Sequence, residues 1–236
     1  MTEVLAINGS PNREKGNTHL ILAPLLEGMK KAGATVDLLF SKELKIRPCI
    51  GDFQCWYKKV GVCIYTDDME QVYVKAREAD ILVLATPIYL PLPGNFQNLL
   101  NRLMPLVEPM LEIRKDRTRA KFHHDVKISK IVFVSSGGWF EIGNFEVVTH
   151  IVREIADNSS VDFIGPILRP HASRLKYEKD LAKEVYAAAE EAGVQIVESG
   201  DVSQQLLDAI SVPLTTHEEA IEREKKAYLA ARDEGN

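Results

Sequence analysis

Residues Asn8 to Thr18 set small, polar and glycine residues between an apolar run and a stretch of helical periodicity. A loop of this kind at the start of a helix can hold a phosphate. The first-turn N–H groups lack helical partners there, and the helix dipole is positive. Ser10, Asn17 and Thr18 can add side-chain hydrogen bonds, Asn12 lies in the same loop, and Gly16 lets the backbone close tightly. The other reading is an ordinary capped helix behind a long loop. Gly16 is followed by Asn17 rather than by Lys and a hydroxyl residue, so the nucleoside-triphosphate loop is absent, as is any G-x-G-x-x-G pattern. A phosphate monoester held by hydroxyls and backbone is the chemistry that remains.

Two further loops suit a planar ligand. In Thr86-Pro87-Ile88-Tyr89-Leu90-Pro91 the prolines stiffen a backbone rich in polar groups, and Tyr89 supplies an aromatic face or edge. Taken alone, Tyr89 is more simply a half-buried packing residue. In Ser136-Gly137-Gly138-Trp139 adjacent glycines let the main chain approach a flat molecule, and Trp139 either covers it or fills a subunit surface. No Ser/His/Asp set or other acid–base constellation stands out, so no catalytic side chain is assigned. His123 and His124 adjoin in a charged stretch and read as exposed; His19, His150, His171 and His217 are scattered and suggest no metal site.

The elements that must position these loops follow from periodicity. Val4–Ile7, Thr35–Phe40, Asp80–Ala85, Lys130–Ser135 and Val161–Gly165 read as strands. Helical spacing runs from Asn17 to about Gly33, from Asp67 (with Asp67 and Glu70 at capping-box-like spacing), over Asn95–Leu103, near Asn144–Ala156, and over about 177–192. Ser41–Thr66 shows no sustained period, and Arg114–Lys127 reads as a charged excursion over the surface. The alternation predicts an α/β fold: a five-stranded parallel sheet with helices on both faces and right-handed crossovers. Ligands of such sheets sit outside the carboxyl ends of the strands, where the three loops fall. Residues 1–200 form this domain, and residues 201–236 add a C-terminal helical extension broken at Pro213.

Gly9-Ser10-Pro11 with Gly16-Asn17-Thr18, then Thr86-Pro87-Ile88-Tyr89, then Ser136-Gly137-Gly138, together resemble the flavodoxin-like NAD(P)H-dependent FMN reductase family. The resemblance lies near its iron–sulfur flavoprotein branch and covers about residues 3–200. It implies FMN as cofactor, NAD(P)H as electron donor, and a small acceptor such as a flavin, a quinone, or a nitro or azo compound. By the same resemblance Ser10, Asn12, Gly16, Asn17 and Thr18 hold the FMN phosphate. Pro87, Ile88, Tyr89 and Leu90 hold the flavin ring, and Ser136, Gly137, Gly138 and Trp139 meet its pyrimidine edge.

Cys49, Asp52, Cys55 and Cys63 resemble the branch's cluster loop, C-x-x-C-x-x-C followed by a fourth cysteine, with Asp52 at the second position. A cluster normally takes four thiolates, so the expectation is no metal. An electron-transfer iron–sulfur flavoprotein is the alternative, and a flavin-free α/β signalling or nucleotide-sensing module a second one. The signalling reading wants an acidic residue at the end of the third strand, where Ala85-Thr86-Pro87 stand.

The 236 residues suffice for one α/β domain with an extension, and the net charge of −5 argues against a nucleic-acid or anionic-membrane surface. No apolar run reaches the length of a membrane span, and the amino terminus lacks a signal-peptide pattern. Three closely spaced cysteines make a poor disulfide framework, which points to the cytoplasm. The polar extension, which family members pack across subunits, implies a homodimer or a dimer of dimers.

Overall fold

In the computed structural model, which describes residues 1–234, the chain opens with β1 (Glu3–Asn8), α1 (Asn17–Lys31) and β2 (Thr35–Phe40). A one-turn α2 (Gln54–Tyr57) precedes α3 (Met69–Glu78), β3 (Ile81–Pro87) and α4 (Gly94–Asn101). Next come β4 (Val107–Arg114), β5 (Arg117–Phe122), β6 (Lys130–Ser136), α5 (Glu146–Ser159) and β7 (Asp162–Arg169). The chain closes with α6 (Lys179–Glu198), α7 (Gln204–Ser211) and α8 (His217–Glu234). Residues 235–236 of the expected extension lie outside the described residues.

Five strands pair in the order β2-β1-β3-β6-β7, every neighbour parallel. This is the flavodoxin-like order, and the chain reverses its direction of travel between β1 and β3, the switch point at which such sheets bind ligands. Successive strand residues point to opposite faces. Leu5, Ile7, Leu82, Leu84, Ile131 and Phe133 therefore pack on one side with residues of α3, α4 and α5. Val4, Ala6, Ile81, Val83, Val132 and Val134 pack on the other with α1 and α6. Burial on both faces explains why these strands read as continuous apolar runs.

α1 and α6 cross at a very short distance. A Cβ on Gly28 would sit 1.8 Å from the Glu190 carbonyl oxygen, and one on Gly193 would sit 2.0 Å from that of Leu25. Any side chain at either position separates the helices and opens the apolar layer beneath them.

The charged excursion after Arg114 takes a form that periodicity did not show: β4 and β5 form an antiparallel hairpin beside the main sheet. Its two-residue turn is Lys115-Asp116, with φ of 51° and 59°. Such turns usually announce themselves with Asn-Gly or Asp-Gly, and neither is present. Arg117 and Arg119 of β5 each lie 2.9 Å from the Glu154 carboxylate on α5, which ties the hairpin to the sheet's helical layer. His123 is correspondingly half-buried, its Nδ1 3.7 Å from Glu108, while His124 is exposed. α2 falls within Ser41–Thr66, where no period shows; α1 and α3 to α6 lie where periodicity puts them, α6 running on to Glu198, and α7 ends at Ser211, just before Pro213. Among the described residues no helix is long and apolar enough to cross a membrane.

Candidate functional site

The three loops singled out in the sequence emerge from β1, β3 and β6, which are adjacent strands. The first begins at Gly9, whose N–H donates to the Ala85 carbonyl of β3 at 2.7 Å. Ser10 is buried, its N–H donates to Asn8 Oδ1 at 2.9 Å, and its hydroxyl accepts from the Asn12 N–H at 3.3 Å. A Cβ on Gly16 would lie 2.2 Å from that hydroxyl, so any other residue there would push the Ser10 side chain aside. α1 starts at the next residue and has no side-chain cap. The His19 N–H donates to the Gly16 carbonyl at 3.1 Å, and the Asn17 and Thr18 N–H groups ahead of it face an anion's position, with the helix dipole behind them.

Thr18 and Ser136 join this loop to the one after β6. Their hydroxyl oxygens lie 2.7 Å apart, both buried. Ser136 also accepts the Ile88 N–H through its carbonyl at 3.0 Å, which brings the loop after β3 to the same point. Gly137 packs against Ile88 and Phe145, and its N–H donates to the Arg169 carbonyl at 3.0 Å. Ser10, Gly16, Thr18, Ser136 and Gly137 are therefore buried members of one cluster, and Asn17, Pro87 and Ile88 are half-buried at its margin. Asn12, Tyr89, Gly138 and Trp139 are exposed, and Leu90 is fully so at 102%. Tyr89 and Trp139 are 50% and 73% exposed, aromatic surface left partly open by the described residues.

These residues fit a phosphate monoester attached to a flat ring. The Gly16 cradle, the uncapped helix start and the buried hydroxyls supply neutral donors for the phosphate, and the exposed aromatics beyond supply stacking surface.

The cysteine loop is held by a buried ion pair. Asp67 and Arg102 meet at 2.8 Å with side chains 7% and 1% exposed, and Arg102 also donates to the Arg47 carbonyl at 2.6 Å. Burial pushes the Asp67 carboxyl up, but the Arg102 guanidinium and the N–H groups of Arg47 and Met69 outweigh it and hold the carboxyl low. Asp67 thus accepts the Met69 N–H at 3.1 Å, as a capping residue would, while its main partner lies on the segment after α4. The cysteines are free, Cys49 exposed and Cys55 and Cys63 half-buried. They line a cavity of about 100 Å³ with Asp52. Burial and then the neighbouring Cys63 push the Cys55 thiol up, away from the thiolate a metal needs. Asp52 is engaged by the Gln54 amide at 2.9 Å. Among the described residues no three such groups stand close enough to hold a metal ion. This donor set does not fit a four-thiolate cluster.

Residues that sequence reasoning passed over gather at the end of β7, beside the loop after β6. Arg169 is buried, has no carboxylate partner among the described residues, and donates to the carbonyls of Ile210 at 2.7 Å and Val212 at 2.8 Å; burial pushes its pKa down to about 10. His171 and His217, scattered in the chain, both approach Phe140. No local pattern marks any of them.

The fold is that of a flavodoxin-like α/β protein, and the loop cluster at its switch point is the candidate ligand site. The chain belongs to the NADPH-dependent FMN reductase family, whose model matches residues 2–139. It is 38% identical over 101 residues to an iron-sulfur flavoprotein of Archaeoglobus fulgidus, covering 42% of this chain and 48% of that protein. An iron-sulfur flavoprotein of Methanocaldococcus jannaschii is 31% identical over 105 residues, 44% of this chain and 53% of that one. The chain thus spans about half the length of these curated relatives. Among solved structures, the NAD(P)H:quinone oxidoreductase from Methanothermobacter marburgensis superposes with a TM-score of 0.59 at 14% identity, over 83% of this chain and 96% of that one. At that identity the likeness is one of fold.

Proposed function

We propose that this chain binds FMN at the switch point, takes hydride from NAD(P)H and passes the electrons to a small acceptor: a free flavin, a quinone, or a nitro or azo compound. The observation that carries the reading is the Thr18–Ser136 contact, which holds a phosphate-type loop against a ring-type loop. Bound FMN supplies the hydride-accepting chemistry, and no protein nucleophile is needed for it. The chain's own residues bind and orient. The N–H groups of Asn17 and Thr18 and the Ser10 hydroxyl hold the phosphate, the Pro87–Leu90 backbone borders the ring, and Tyr89 and Trp139 offer contact surface.

The protein works in the cytoplasm as a homodimer or dimer of dimers, with residues 201–236 at the subunit interface. Free cysteines support the first statement. Exposed Ile221, Tyr228 and Leu229 on the otherwise polar α8 support the second. A net charge of −5 speaks against nucleic acid as a partner. The electron-carrier alternative draws on the names of the curated relatives; Asp52 in the cluster loop weighs against it.

The test is the visible absorbance spectrum of purified protein together with equilibrium dialysis against FMN. A flavin spectrum and FMN binding in preference to FAD are expected. Absence of FMN binding overturns the reading.

A further inference from the structure

A cavity of about 420 Å³ lies between α4 and the segment after β2, on the side of the phosphate-type loop away from β6. That volume is in the range of small-molecule sites. α4 buries Phe96, Leu99 and Leu100, while Gly94, Gln97, Asn98 and Asn101, one helix face, line the cavity. Leu44, Ile46 and Pro48 supply its apolar wall.

The segment after β2 is pinned across the helix, so this is a roofed cleft and not a bare solvent face. Asn98 donates through Nδ2 to the Ile46 carbonyl at 2.9 Å, and Arg102 donates to the Arg47 carbonyl at 2.6 Å. The segment's other end is held at the switch point. There the Ser41 N–H donates to the Asn8 carbonyl at 3.0 Å, and Glu43 pairs with Arg13 of the phosphate-type loop at 2.7 Å.

The lining sets the chemistry of a ligand. None of the lining residues is charged, so a phosphate or carboxylate would be buried there without a counter-charge. Carboxamides stand in their place. Gln97 donates to Asn101 Oδ1 at 3.0 Å, which leaves the Gln97 oxygen and the Asn101 nitrogen without a further partner among the described residues. Asn95 and Asn101 are exposed and Gln97 is half-buried, so these amides are reachable from the cavity. A carboxamide sets an acceptor beside its donors, the pattern that pairs with the amino group and adjacent ring nitrogen of adenine. The apolar wall suits the face of such a ring. A Cβ on Gly94 would meet nothing within 4 Å, so the start of the helix leaves open space.

We propose that this cavity seats the adenosine part of the reduced dinucleotide, its adenine lying against the apolar wall and bonded to the carboxamides of α4. The segment after β2 then sets affinity for the electron donor, a role separate from holding FMN. As a donor subsite it rests on the flavin reading above; as an adenosine site it stands on the cavity alone.

The full chain, supplied with FMN, is titrated with adenosine by calorimetry. Purine riboside, which lacks the amino group, should bind roughly three- to tenfold more weakly than adenosine. Asn95→Ala should weaken adenosine by a similar factor. Gly94→Leu, whose side chain enters the open space, should weaken it by about tenfold or more. Both positions are exposed, so the thermal midpoint should hold. In flavin-reduction kinetics Gly94→Leu should raise KM about tenfold for NADH or NADPH, whichever has the lower KM in the wild type. KM for reduced nicotinamide mononucleotide, which carries no adenosine, should stay within about twofold. No adenosine binding, equal affinity for the two nucleosides, or adenosine affinity unchanged in Gly94→Leu overturns the proposal. So does an equal rise in KM for dinucleotide and mononucleotide. Adenosine binding that Gly94→Leu abolishes, in a chain that fails to take FMN, would remove the flavin reading and keep the cavity as an adenosine site.

Discussion

The hydroxyl oxygens of Thr18 and Ser136 lie 2.7 Å apart, although 118 residues separate them in the chain. One stands in the first turn of α1 and the other at the end of β6, so the contact sets the distance between the two loops. A hydroxyl donates once and accepts twice. If Ser136 donates to Thr18, the Thr18 proton stays available to a phosphate oxygen, and the link and the anion are held by the same side chain.

The first prediction concerns that loop. Replacing Ser10 and Thr18 by Ala should weaken FMN more than riboflavin, because only FMN presents charged oxygens. Each lost hydrogen bond to a charged group should cost about 1.5–3 kcal/mol, roughly ten- to a hundredfold in affinity. Fluorescence titrations with the two ligands decide it. Equal weakening of both would show that the loop is not the phosphate site.

The second prediction concerns the Asp67–Arg102 pair. Asp67→Asn leaves a buried guanidinium without its counter-charge and should cost about 3 kcal/mol in urea unfolding at neutral pH. The Asp67 carboxyl is held low in the folded chain, so its contribution is complete above the ordinary Asp value of about 3.9 and is lost as pH falls through the lowered one. The gap between wild type and variant should therefore close in acid. A gap independent of pH would mean that the lost geometry, and not the charge, is responsible.

The third prediction concerns the extension. Arg169 donates to the Ile210 and Val212 carbonyls at the end of α7. Arg169→Leu should cost about 1.5–3 kcal/mol through the loss of charge-assisted bonds and the orphaning of those carbonyls. Hydrogen exchange should quicken in α7 and α8 before it does in β1 or β3. Uniform loss of protection over the whole chain would contradict a latch confined to the extension.

The fourth prediction is that Cys49, Cys55 and Cys63 are dispensable for flavin reduction. Asp52 leaves the loop one thiolate short of a cluster's usual four, and hydride transfer to flavin runs without a metal relay. Changing all three cysteines to Ser should leave NAD(P)H-dependent flavin reduction within about threefold, apart from packing loss of under roughly 1.5 kcal/mol. Anaerobically purified protein should lack iron and acid-labile sulfide. Stoichiometric iron, bleached together with activity in air, would promote the electron-carrier reading instead.

The sequence by itself determined the parallel sheet and the loops that matter. Strands such as Ile81–Ala85 are apolar throughout because both faces are covered, and that signal is local. The Gly16-Asn17-Thr18 helix start is equally local, since its chemistry is that of the backbone at one turn. Turn chemistry was legible only where glycine, asparagine or proline marked it, so the Lys115-Asp116 hairpin went unread. Tertiary structure alone decided what meets across the chain. Arg102 finds Asp67, Thr18 finds Ser136, and His171 and His217 approach Phe140, because helices packed on a sheet bring distant segments to one edge. No periodicity encodes such a meeting: it depends on the summed lengths and packing of every element between.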